Sequence, residues 1–128
     1  MKNQVTLSNN KHDITLINIT IGPDQYNTAG GHWEPKNGKR FVWATIAINN
    51  RLKTEQRFFL DSIRLVADKK EIKPLIIDMD STITMRAEKE PAMAPNETIS
   101  RRLIYAVPES AVLEKILYGK EEIVITQD

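Results

Sequence analysis

The segment of residues 40–50 constrains the fold of this chain more than any other feature of its sequence. It is rich in β-branched and aromatic residues, which favour a pleated strand. Successive side chains of a strand point to opposite sides. One side carries Val42, Ala44, Ile46 and Ile48, and the other carries Phe41, Trp43, Thr45 and Ala47. We predict that the Val42 side lies in a core between two sheets, so the Phe41 side needs cover from a loop or a neighbouring strand.

Most of the other apolar segments also have the pattern of strands. In residues 14–21 the alternation places Ile17, Ile19 and Ile21 on one side. A tight turn at Asp68 predicts a hairpin between the strands before and after it. The predicted strands outside residues 40–50 are 14–21, 58–67, 71–73, 75–77, 82–85 and 97–107.

The end of the chain has two interpretations. The apolar residues of 110–119 have helical spacing, with Gly119 in place to end a helix. Alternatively, residues 113–118 and 121–126 form a closing hairpin. We favour a short helical turn after Pro108 followed by two strands. Short strands separated by turn signals predict an all-β chain, which we expect to be one immunoglobulin-like β-sandwich domain of about seven to nine antiparallel strands over residues 1–128.

Composition excludes several classes of function. The 128 residues carry 18 basic and 17 acidic side chains, and a formal net charge of +1 is too small to attract nucleic acid. Cysteine is absent, which excludes disulfides, thiolate catalysis and zinc–thiolate sites. No apolar stretch is long enough for a transmembrane span. The polar N-terminus has no signal-peptide core, so the protein either acts in the cytoplasm or has lost a leader.

Three segments resemble a bacterial family of unknown function in the immunoprotective extracellular, immunoglobulin-like group. They are Gly38-Lys39-Arg40-Phe41-Val42 running into Asn49-Asn50, the hairpin of residues 58–72, and Asn96-Glu97-Thr98 leading to Tyr105-Ala106-Val107-Pro108. The resemblance covers residues 12–126 and departs from the family at Asn96, where glycine is common. It implies a sandwich in a small secreted protein or lipoprotein, and it supplies no catalytic residue.

The long polar connection of residues 22–39 is the best candidate for a binding surface. Loops of this length are often functional, and an exposed tryptophan can stack on a ligand. The candidate ligand-binding residues on or beside this connection are Tyr26, His32, Trp33 and Arg40. In the alternative interpretation, Trp33 folds back and covers the Phe41 side of the sheet.

Other chemistry has weaker support in the sequence. His12 and His32 are the two histidines, and neither lies in a nucleophile motif, so we expect no catalytic residue and no cofactor. Asp78 and Asp80, with Asp61 or Glu90, could hold Ca²⁺. The thioethers of Met79, Met85 and Met93 could hold Cu⁺.

The sequence therefore favours a non-enzymatic binding module of an exported or cell-envelope protein, with an unknown protein or glycan partner. We expect a monomer or a weak homodimer. One alternative is an assembly role, in which an edge strand, residues 14–21, pairs with another chain. The other is a small metal carrier that uses Asp78 and Asp80.

Overall fold

The computed structural model describes residues 5–8 and 11–125. Within them the chain is all-β, with antiparallel pairing throughout, as the sequence predicts. One sheet has five strands, β1 (Val5–Ser8), β2 (His12–Ile21), β5 (Lys39–Asn50), β11 (Thr98–Pro108) and β9 (Ile76–Asp78), in that order. The other has four, β13 (Glu121–Val124), β12 (Leu113–Tyr118), β7 (Ile63–Ala67) and β8 (Lys70–Ile72). Two short pairs complete the described strands, β3 (Tyr26–Thr28) with β4 (Gly31–Trp33) and β6 (Gln56–Arg57) with β10 (Ala92–Met93).

The strand order is that of an immunoglobulin-like sandwich. In that fold, strands A, B, E and D form one sheet, and C, F and G form the other. Here β2, β5, β11 and β9 take the first set of positions, and β7, β12 and β13 take the second. Over residues 5–8 and 11–125, the two main sheets together contain nine strands, within the predicted range.

The core between the sheets contains the residues that the alternation of β5 predicts. Val42, Ala44, Ile46 and Ile48 are all buried. They pack with the inward residues of β11 and β7, so the Val42 side is core, as predicted. These inward residues are Leu103, Tyr105 and Val107 of β11 and Ile63 and Leu65 of β7.

The opposite side of β5 carries a second, smaller core. Phe41 packs there with Tyr26, Ile76 and Ile104, and Trp43 is partly buried against the same group. Tyr26 comes from the connection of residues 22–39. We predicted that connection to be irregular, but it folds into the β3–β4 hairpin and covers the Phe41 side.

Two β-bulges explain where the alternation misleads. A bulge adds one unpaired residue to a strand and shifts the pattern by one position. In β2 the register shifts between Leu16 and Asn18, which brings Ile19 to the same side as Ile14 and Leu16, and all three pack in the core between the sheets. In β12 it shifts between Leu113 and Lys115.

The bulge in β12 is the reason why the predicted helical turn after Pro108 is wrong. Leu113 and Ile116 are both buried, three positions apart. This spacing looks helical, but it arises because an extra residue interrupts a strand. The alternative interpretation, a closing hairpin of β12 and β13, is the observed structure. Thr126, the predicted end of that hairpin, lies outside the described residues.

Of the remaining strand predictions, the one over residues 58–67 is correct only for β7, because Leu60–Ser62 form a 3-10 helix before it. The turn at Asp68 and Lys69 joins β7 to β8, and both turn residues have positive φ. Strands β9 and β11 lie close to their predicted positions. Residues 82–85 form no strand, although Asp78 and Arg86 make an isolated bridge beside them. No helix in the described part of the chain is long and apolar enough to cross a membrane.

Candidate binding surface

A buried carboxylate organises the outer layer of the five-stranded sheet. Asp78 ends the edge strand β9 and has no exposed surface. The hydroxyl of Tyr26 donates to its Oδ2 at 2.5 Å. The guanidinium of Arg102 contacts its Oδ1 through Nη2 at 2.6 Å and Nε at 2.7 Å. The side chain of Asp78 thus joins β9 to the β3–β4 hairpin and to β11.

The same carboxylate also shapes the segment that follows β9. The backbone N–H of Asp80 donates to Oδ1 at 2.8 Å, and that of Met85 donates to Oδ2 at 2.8 Å. Asp80 adopts a left-handed conformation with φ 58°, which a short polar side chain tolerates. The chain therefore loops around the Asp78 side chain over residues 79–85.

These contacts determine the protonation of the cluster. Burial alone raises the pKa of Asp78, but the hydrogen bonds from Tyr26, the two backbone amides and Arg102 outweigh it and hold the pKa below its usual value. Burial and the neighbouring carboxylate raise the pKa of Tyr26 well above its usual range. At neutral pH the cluster is therefore an ionised Asp78 paired with Arg102 and bonded to a neutral phenol.

The looped segment and the hairpin form the two walls of an open groove of about 600 Å³. Residues 27–30, at the hairpin tip, line one side, and residues 83–86 line the other. The hydroxyl of Thr84 donates to the carbonyl oxygen of Asn27 and ties the walls together. Ile83 is 66% exposed and Met85 is 49% exposed. Apolar side chains therefore face solvent in this groove, and hydrogen bonds hold its walls in place.

Trp33 flanks this groove on the hairpin side. Its ring is 48% exposed, and the guanidinium of Arg86 lies over it at 5.2 Å from the ring centroid. This distance is within the range of a cation–π interaction. Among the described residues, Arg86 forms no ion pair with a carboxylate.

The structure separates the four residues that the sequence singled out. Trp33 is exposed beside the groove, and His32 is exposed with its Nε2 at 3.4 Å from a carboxylate oxygen of Glu34. The sequence predicts Tyr26 as a ligand-facing residue, but its side chain is completely buried. Its ring covers the sheet and its hydroxyl binds Asp78. Arg40 alternates with Phe41 along β5, so its side chain points to the other side of the sheet.

Two of the carboxylates proposed for a metal site, those of Asp78 and Asp61, have other partners. Both oxygens of Asp78 accept hydrogen bonds, and Arg102 supplies its counter-charge. Asp61 lies 3.5 Å from the ammonium group of Lys89. In residues 5–8 and 11–125, no three His, Cys, Asp or Glu side chains are grouped as metal ligands. The methionines are also apart, because Met93 is buried between the sheets while Met85 lies in the groove.

Sequence reasoning missed Arg86, Arg102 and Ile83. Arg102 pairs with Asp78 across adjacent strands, a contact that depends on the register between β9 and β11. Ile83 lies in residues 82–85, which the sequence predicts as a strand, and Arg86 directly follows them. The only available signal is the spacing of Asp78 and Asp80, which marks a polar cluster without identifying its partner.

Comparison with known proteins places the fold among bacterial β-sandwiches. No protein-family profile matches the sequence, and no curated protein is similar to it. A conserved hypothetical protein from Bacillus anthracis superposes with a TM-score of 0.68 at 16% identity, over 95% of this chain and 92% of its own. An uncharacterised β-sandwich protein from Clostridium difficile gives 0.60 at 18% identity, over 92% and 86%.

A third similar structure is a Bacillus subtilis protein provisionally named a lipoprotein. It superposes with a TM-score of 0.57 at 11% identity, over 93% of this chain and 40% of its own. Identities this low show a shared fold alone. The chain is thus similar in structure to uncharacterised bacterial β-sandwich proteins, one of them with a lipoprotein name.

Proposed function

We propose that this chain is a non-enzymatic binding module, and that its partner binds the groove between the β3–β4 hairpin and residues 83–86. The observation that carries the proposal is that the exposed apolar side chains of Ile83 and Met85 line one groove, while exposed Trp33 contacts the groove residue Arg86. Grouped exposed apolar surface commonly marks an interaction site. Single exposed apolar residues elsewhere would not support such a proposal.

The Asp78 cluster supports the same proposal by fixing the groove walls. Replacing a buried ion pair by apolar residues is often neutral or stabilising, so such a pair is weak evidence for stability alone. Here the carboxylate binds groups from three parts of the chain, including the backbone of Met85 in the groove wall. A preorganised wall reduces the entropy that binding costs.

The assembly alternative loses the first part of its proposed strand, because β1 pairs with residues 13–16 and not with residues 17–21. We expected residues 14–21 to be an edge, but β2 lies between β1 and β5. Strand β1 pairs with it from Asp13 to Leu16. The backbone of that part of β2 is therefore already paired on both sides and cannot add another chain.

A matched pair of variants tests the proposed binding surface. Ile83 and Val112 are similarly exposed, at 66% and 62%. Val112 lies beside the β7–β8 turn, where its backbone N–H binds the side chain of Asp68. Peptide and glycan arrays should give binding that Ile83→Asp and Trp33→Ala reduce at least tenfold and that Val112→Asp preserves. Binding that survives Ile83→Asp and Trp33→Ala would contradict the proposal.

We also propose an exported or envelope setting in the family of immunoglobulin-like secreted proteins and lipoproteins. Its support is the resemblance of three segments to that family, together with the lipoprotein name of one structural neighbour. Fractionation of the native organism provides the test. The protein should be found in the medium or envelope fraction, and recovery in the cytoplasm alone would contradict the proposal.

A further inference from the structure

We propose that the groove takes an extended peptide segment of a partner protein, with apolar side chains in the groove and a carboxylate on Arg86. This inference rests on the proposed function and specifies its partner class. It follows from the apolar wall, from the guanidinium at its end and from the open shape of the groove.

The apolar part of the site is the surface of Ala29, Ile83 and Met85. These side chains belong to both walls, so an occupant contacts apolar surface on each side. The volume of about 600 Å³ lies within the usual range of ligand sites. Burial of Ile83 and Met85, which are now largely in water, would supply the main favourable free energy of binding.

The charged part of the site is Arg86. Its guanidinium is the only charged group among the described residues that line the groove. Trp33 holds one face of that planar group at 5.2 Å, while the N–H donors at its edge can bind a carboxylate in two parallel hydrogen bonds. The neighbouring Arg102 is already neutralised by Asp78, so Arg86 is the cation that an acidic partner would meet.

Two other ligand classes fit these contacts less well. A sugar usually stacks on an aromatic face, but Arg86 already covers a face of Trp33. An acyl chain needs an enclosed cavity, because in an open groove much of its length would stay in water. A peptide places apolar side chains in the groove and keeps its polar groups in solvent, which suits a groove that is open.

A displayed library of short random peptides, selected on the immobilised protein, tests this inference. Enriched peptides should share apolar residues next to an acidic side chain or a terminal carboxylate. Neutralising that acid, by Asp→Asn or Glu→Gln in the peptide, should weaken binding about tenfold, which corresponds to roughly 1.4 kcal/mol. Arg86→Gln should cause the same loss, and the two changes together should cost little more than either alone.

Arg64→Gln is the matched control, because Arg64 is an exposed arginine on β7 that pairs with Glu71. It should leave the affinity unchanged. Peptides that need Ile83 but are neutral, or that bind Arg86→Gln as well as wild type, would overturn the inference and leave the proposed function standing. Absence of any enriched peptide, with Trp33-dependent binding on a glycan array, would have the same meaning. Peptide binding that survives Ile83→Asp would overturn both.

Discussion

Different kinds of interaction stabilise the two sides of the five-stranded sheet. The inner side packs on the second sheet almost entirely through apolar contacts, such as those of Ile46 and Leu103. The outer side has a small apolar group around Phe41, and the fully buried carboxylate of Asp78 lies beside it. The inner side therefore depends on shape and burial, whereas the outer layer also depends on a directed set of hydrogen bonds.

This difference assigns the two sides to different tasks. Apolar packing tolerates rearrangement as long as volume is conserved. A carboxylate that accepts hydrogen bonds from four residues at fixed positions does not, because each of these residues would lose its acceptor. The outer layer is thus the part of the molecule in which geometry is most tightly specified, and it is also the part that carries the groove.

The largest effect should come from Asp78→Ala. It leaves the guanidinium of Arg102 and the hydroxyl of Tyr26 without their acceptor. Breaking a buried pair on one side costs about 3 kcal/mol or more. Urea unfolding measures the loss, with Asp80→Asn as the control because asparagine keeps the left-handed conformation and the Asp80 carboxylate is partly exposed, 3.8 Å from Arg102. Equal losses of unfolding free energy in the two variants would show that Asp78 contributes no more to stability than Asp80.

The next largest loss of stability should come from removing the hydroxyl of one of two buried tyrosines. The hydroxyl of Tyr26 donates to a carboxylate, whereas that of Tyr105 donates to the backbone carbonyl of Ile63 in the inner core. Hydrogen bonds to charged groups contribute about 1.5–3 kcal/mol and neutral ones about 0.5–1.5 kcal/mol. Tyr26→Phe should therefore lower the free energy of unfolding more than Tyr105→Phe. The reverse order would show that the outer layer does not depend on its charge.

A smaller effect on the free energy of unfolding should appear at acidic pH. The pKa of Asp78 in the folded state lies below its usual value of 3.8, because its hydrogen bonds outweigh burial. Its contribution is fully present above that value and is lost as the pH falls through the folded-state pKa. Wild type should lose more free energy of unfolding than Asp78→Asn between pH 5 and the acid limit of measurement. Parallel pH profiles would contradict this assignment.

The smallest effect on stability should be that of Trp33→Ala. Trp33 is exposed and the Phe41 side is covered by Tyr26, so removing its ring should change the free energy of unfolding by about 0.5 kcal/mol or less. Thermal and urea unfolding both measure this. A loss of about 3 kcal/mol, typical of a buried aromatic residue, would make Trp33 part of the outer core instead.

The sequence predicts the inner side far better than the outer one. Alternation in β5 identifies the Val42 side as core because each residue there faces one sheet. The same alternation fails after Leu16 in β2 and after Leu113 in β12, because each strand has a bulge, an added residue that no local pattern reveals. The pairing of Asp78 with Arg102 depends on the register of distant strands, so the sequence shows a polar pair of aspartates without showing its partner.

Amide hydrogen exchange of Asp78→Asn tests most directly whether this carboxylate holds the layer that forms the groove. Amide exchange should become faster in residues 22–39 and 79–87, while exchange in strands β7 and β12 stays unchanged at the same pH and temperature. Exchange that accelerates equally in both sheets, or that stays unchanged near the groove, would contradict this prediction.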